Sequence, residues 1–226
     1  MIQDEIAQSL ETESIEKTLS IIELIKSGGL AGQLIIALLT GLLVVALYIY
    51  FERLFTIKAA SKVDPNFMNQ IKDHVVNGKI EAAKALCTNV NSPVSRLIHK
   101  GISRIGRPLA DINSAIENAG KLEVYSLEKN VSVLATISGA APMIGFLGTV
   151  IGMILSIFEI ANSGGQIDIK LLADGLYTAM TTTVAGLVVG IISYISYNHI
   201  VGRTNKVVYQ MEANSVEFLD LLNEPI

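Results

Sequence analysis

Three stretches of the chain carry no charged residue. They hold 25 residues between Lys26 and Glu52, 29 between Lys129 and Glu159, and 28 between Asp174 and Arg203. About 20 consecutive apolar residues suffice to cross a bilayer as a helix. Each stretch therefore predicts a transmembrane helix, at 29–51, 130–158 and 174–200. A polar segment, 52–129, separates the first two, a loop at 159–173 joins the last two, and a tail runs over 201–226. Residues 1–28 precede the first span. In them Ile15, Leu19, Ile22 and Ile25 recur at helical spacing opposite acidic residues, the pattern of an amphipathic helix on a membrane surface or on a neighbouring subunit.

The polar segment reads as a series of short helices. "VDPNF" (63–67) predicts a turn into a helix beginning near Pro65, and "NGK" (77–79) and "NSP" (91–93) mark further breaks. From Pro108 to Pro142 there is no proline and no obvious breaker, while Ile112, Ile116, Leu122 and Leu127 keep helical spacing. One helix running from this segment straight into the second span is expected.

The distribution of basic residues orients these elements. Segment 52–129 and the tail hold fourteen of the 17 Lys and Arg, against three, Lys17, Lys26 and Lys170, elsewhere. Basic residues stay on the cytoplasmic side. The N-terminus and the 159–173 loop are thus expected outside, and the polar segment and the C-terminus inside. Residues 1–26 carry six acids and only two lysines, the reverse of a signal peptide's basic start, so no cleaved signal is expected.

Composition narrows the chemistry. Half the residues are apolar and the mean hydropathy is +0.49, too high for an ordinary soluble domain. The one cysteine, Cys87, excludes an internal disulfide framework. The three scattered histidines, His74, His99 and His199, give no metal-ligand spacing; His199, near the inner end of the third span, reads as an interface residue. A net charge of −4 gives no nucleic-acid signal, and no nucleophile–base or metal constellation points to an enzyme or a cofactor.

What remains is a pattern of small and hydroxyl-bearing residues. In the second span Ser138, Pro142, Gly145, Thr149, Gly152 and Ser156 share one face. In the third, Gly175, Ala179, Thr182, Gly186 and Gly190 do the same, with Thr178 and Thr181 beside them. Small residues let helices approach closely in lipid, so Gly145, Gly148, Gly152 and Gly186 are candidate packing positions. The hydroxyls can line a polar surface or bond back to their own helices. Asp174 and Glu159, at the outer ends of their spans, are candidate titrating carboxylates or solvated helix ends.

These residues carry a resemblance. "AAPMIGFLGTVIGMI" (140–154) and "TTTVAGLVVGIISYISYN" (181–198) resemble the second- and third-helix signatures of the MotA/TolQ/ExbB proton-channel family, and "YIYFERLFTIKAASK" (48–62) resembles its exit from the first helix. The three-span layout is similar to the ExbB and TolQ branch. The resemblance implies an all-α membrane protein with long cytoplasmic extensions, forming a homo-oligomeric bundle, in the family a pentamer, around a central pore. It further implies an ExbD- or TolR-type single-span partner in that pore, a TonB- or TolA-type protein beyond it, and a place in the bacterial inner membrane. Motion would be driven by proton-motive force, for TonB-dependent transport or, as alternatives, a Tol-type system or a passive scaffold. The family's pore threonines fall on Thr149 and Thr183. Its third-helix glutamate falls on Thr178, so the acid is missing there and the partner's membrane aspartate becomes the leading proton carrier.

Overall fold

The computed structural model describes residues 29–62, 64–162 and 169–223. The amphipathic N-terminal stretch and most of the 159–173 loop lie outside them. Among the described residues the protein is all helical, with seven helices: α1 (Gly29–Ala60), α2 (Phe67–Val76), α3 (Ile80–Val90), α4 (Pro93–Ile102), α5 (Leu109–Leu127), α6 (Val131–Asn162) and α7 (Ile169–Asn223). Three stretches, Ala31–Ala60, Val131–Asn162 and Gly175–Asn223, are long and apolar enough to cross a membrane. They coincide with the three uncharged runs.

The short helices end where the turn residues dictate. Gly78 at φ 69° closes the turn after α2, and Asn91 at φ 45° stops α3. Both are residues that tolerate the left-handed region. Ser92 then starts α4 with a reciprocal cap. Its hydroxyl accepts from the Ser95 amide at 3.1 Å while the Ser95 hydroxyl accepts from the Ser92 amide at 2.8 Å. Pro93 follows at the first helical position, where its fixed φ fits and its missing N–H costs nothing. Pro65 precedes α2 and lies in the turn, so that helix begins two residues later than the proline signal indicates.

One expectation fails. The helix running from the polar segment into the second span is interrupted, because α5 ends at Leu127 and Glu128–Asn130 form a turn before α6. Asn130 adopts φ 62°, which a continuous helix forbids and which asparagine accepts more readily than most residues. The Arg53 guanidinium supports this break. Buried at 6% exposure, it donates from Nη1 to the Ser126 carbonyl at 3.0 Å, filling one of the acceptors that a helix C-terminus leaves open. Its other amino group pairs with Glu52.

The chain divides into two compact units. The described part of the first comprises 29–41 of α1, 140–162 of α6 and 169–189 of α7. The second comprises 42–139 and 190–223. Its core is a water-soluble protein's core: Phe67, Ile71, Ile98, Ile102, Ile116, Ile200, Val207 and Phe218 are all essentially inaccessible. Phe218 of α7 seats against Gly101 of α4, where an added Cβ would lie 2.5 Å from its ring and 2.8 Å from Ile116 of α5. At the rim Arg96 grips Glu123 with two donors, both at 2.6 Å. That carboxylate, outweighing the opposing effect of burial, raises the guanidinium's hold on its proton. Cys87 is buried in the same unit, and desolvation pushes its thiol from 9.0 up to about 11.

Candidate functional site

The site lies in the first unit, where α6 and α7 meet through residues that barely have side chains. A Cβ built on Gly186 would fall 2.6 Å from the Ala141 carbonyl oxygen and 2.9 Å from the Gly145 Cα. One on Gly145 would fall 2.8 Å from the Thr182 carbonyl oxygen and 3.1 Å from the Gly186 Cα. The two backbones are in contact there, and only glycine permits it. One turn along, a Cβ on Gly148 would run into the Thr182 hydroxyl; on Gly152 it would lie 3.0 Å from the Ala179 Cβ. At the end of the seam Gly175 leaves room for Ser156 in the same way.

The hydroxyls are arranged on this seam. Thr182 is fully buried in the notch opposite Gly148, and donates to the Ala179 carbonyl at 2.7 Å with the Gly145 carbonyl at 3.3 Å. Thr183, half-buried, reaches across the seam and donates to the same Gly145 carbonyl at 3.1 Å. Thr149, also half-buried, donates to the next carbonyl of its own helix, that of Phe146, at 2.6 Å. Thr181 bonds back to Tyr177 at 2.9 Å. The structure therefore brings Thr149 and Thr183 to successive carbonyls of one turn of α6, with Gly145, Gly148 and Gly186 around them.

Thr178 lies elsewhere. It is half-buried, and its methyl group faces α1, where a Cβ on Gly32 would come within 2.9 Å. Sequence reading passed over Gly32; its one signal is a second glycine three residues after Gly29 at the start of an apolar run. Glu159 is exposed on α6. Asp174 falls within α7, and its side chain lies outside the described residues. His199 belongs to the second unit. There Arg203 donates from Nε to its Nε2 at 3.1 Å, which leaves the ring proton on Nδ1, 2.9 Å from the Tyr50 hydroxyl.

Chemically the seam offers hydroxyl and carbonyl oxygens and no charge. In this unit α1 is uncharged over 29–41, α6 over 140–158 and α7 over 175–189. Its outer surface is apolar: Met143, Phe146, Leu147, Met180, Val184 and Leu187 are exposed, a patch far too apolar for water. No cluster of metal-ligating side chains occurs among the described residues.

Fold and site together define a helical membrane protein with three spans and a hydroxyl-bearing, acid-free seam between two of them. Residues 89–213 match the model of the MotA/TolQ/ExbB proton channel family, and the chain belongs to that family. It is 27% identical over 194 residues to a protein named as a biopolymer transport protein ExbB homolog in Methanothermobacter thermautotrophicus, covering 85% of this chain and 67% of that protein. It is 37% identical over 87 residues to the biopolymer transport protein ExbB of Aquifex aeolicus, a match spanning 38% of this chain and 58% of that protein's length. The Tol-Pal system protein TolQ of Pseudomonas aeruginosa is 23% identical over 228 residues, covering 96% of this chain and 98% of its own.

Proposed function

We propose that this chain is the multi-span, non-enzymatic subunit of an ion-driven motor of the ExbB/TolQ kind in the bacterial inner membrane. In this reading several copies, five as in the family, surround a pore holding an ExbD- or TolR-type single-span partner. Residues 52–129 and the tail are cytoplasmic, and the N-terminus and the 159–173 loop are periplasmic. The partner's membrane carboxylic acid carries the proton, and movement of the partner passes to a TonB- or TolA-type protein. A proton crossing the membrane gains about 2.3 kcal/mol per 100 mV, and this chain supplies the wall against which that energy becomes motion.

The observation that carries the reading is the α6–α7 seam. It presents two partly accessible hydroxyls, Thr149 and Thr183, on a wall with no acid of its own. A wall without fixed charge lets a titrating group approach and leave without a locking ion pair. Thr178 at the family's glutamate position favours a second reading, in which the oligomer only holds its partner. Proton flux into vesicles carrying the chain with and without its ExbD-type partner separates the two. Partner-dependent flux under an imposed potential is expected; a complex that assembles but conducts no protons establishes the scaffold.

A further inference from the structure

A threonine hydroxyl has one proton to donate and two lone pairs that accept. Both hydroxyls at the seam have committed that proton. Thr183 Oγ1 is 3.1 Å from the Gly145 carbonyl oxygen and Thr149 Oγ1 is 2.6 Å from that of Phe146. A carbonyl has no hydrogen to give, so the threonine is the donor in each bond. Thr182, at the closest point of the seam, is likewise committed, to Ala179 and Gly145. Its side chain fills the Gly148 notch, which fixes the rotation of α7 and so the reach of Thr183 toward Gly145.

The Thr183 bond stands apart from ordinary back-bonding, which stays within one helix. Turning its proton toward a visitor would break the cross-helix bond and strip a donor from a carbonyl in a nearly water-free seam. Nothing charged competes: in this unit α1, α6 over 140–158 and α7 over 175–189 carry no ionic side chain, and Tyr177 is the one titratable group on that stretch of α7.

We propose that Thr149 and Thr183 form an acceptor-only site whose ligand is a hydrogen-bond donor, a carboxylic acid in its protonated, neutral form. Thr182 is the positioning residue that holds this polarity. The inference rests on the motor reading given above and sharpens it: the wall recognises the loaded state of the partner's acid and offers nothing to the carboxylate left after the proton departs. The protonated acid is held at the threonines, and the ionised one is free to move on.

The sign of one measurement decides it. A hydroxyl that accepts from the acid stabilises the protonated form and raises its pKa; one that donates stabilises the carboxylate and lowers it. The probe is dicyclohexylcarbodiimide, which modifies protonated carboxyl groups, applied across a pH range to the complex of this chain with its ExbD-type partner. Mass spectrometry reads the labelled residue. The Thr183→Val complex is expected to shift the labelling midpoint about half to one pH unit toward acid, and Thr183→Ser to keep the wild-type midpoint. Thr182→Val is expected to move it the same way by less. Should Thr183→Val fail to assemble, Thr149→Val, whose bond stays within α6, tests the same sign. A midpoint that stays put or moves toward alkali in the assembling variant overturns the acceptor-only site and leaves the motor reading standing. A wild-type complex with no labelled membrane carboxyl overturns both.

Discussion

Helix α7 packs by two different chemistries in the two units. In the first unit its buried residues are Ala179, Thr182, Gly186 and Val189, and its neighbour on α6 is largely bare backbone. In the second they are Ile200, Val207, Met211 and Phe218, set among isoleucines, leucines and phenylalanines. The difference follows from the solvent. In water, large apolar side chains contribute by leaving it, at about 25 cal/mol per Å². In lipid the surroundings are as apolar as leucine, so close contact and polar bonds must do the holding. The first unit accordingly points its large side chains outward, Met143, Phe146 and Met180 among them, and keeps its glycines and hydroxyls inward.

Substitutions separate the two modes, and Phe218→Ala carries the largest expected effect. It empties the fully buried position that joins α4, α5 and α7 and should cost about 3–5 kcal/mol. Loss of helicity against denaturing detergent measures it; a cost below about 1 kcal/mol would mean that the second unit is not held by its core. Next comes Gly186→Ala. Its one new carbon meets the Ala141 carbonyl at 2.6 Å, so overpacking of about 1–3 kcal/mol is expected, along with a weakened oligomer on native mass spectrometry. Gly139→Ala, on α6 where an added Cβ meets nothing within 4 Å, should have the opposite sign. It should stabilise by about 0.4–1 kcal/mol, because alanine restricts the unfolded chain. Equal effects at Gly186 and Gly139 would abolish the distinction between seam and open helix.

Much of this contrast is legible in the sequence, and the limits are physical. The three spans announce themselves because charge is excluded from lipid over a known length, and the breaks at Gly78 and Asn91 because few residues tolerate positive φ. The α5–α6 break was not read, since Glu128, Lys129 and Asn130 are all compatible with helix until Asn130 is seen at φ 62°. Helical periodicity places Thr182 on the small-residue face of its own helix. It says nothing of which carbonyl on another helix each hydroxyl will find, or of Thr178 meeting Gly32. Those depend on how three helices are rotated against one another, which no local pattern encodes.

Two smaller effects sharpen the picture of the second unit. The Cys87 thiol, held neutral by burial, should resist iodoacetamide at pH 8 in the folded protein and react readily once detergent unfolds it. Its raised folded value gives the pH sign. The stability linked to burying a neutral thiol is intact below about 9 and is lost as pH climbs through about 11. Rapid alkylation of native protein at pH 8 would show that the α3–α4 region opens freely. Glu123→Gln removes one partner of a pair whose arginine is 45% exposed. The expected cost is about 0–1 kcal/mol, shrinking further at high salt, and a larger loss would point to a rim that matters as much as the core.

The contact between Gly145 and Gly186 also constrains how this protein can evolve. Both residues already sit at the lower limit of side-chain size, so any mutation at either position adds atoms. A second mutation elsewhere in a protein often rescues an oversized residue by trimming the one opposite. Here nothing opposite remains to be trimmed, since the obstruction on each side is main chain. Suppressors of a Gly186 lesion must therefore move a helix and cannot refit a side chain, and selections for revertants should return glycine itself far more often than compensating pairs.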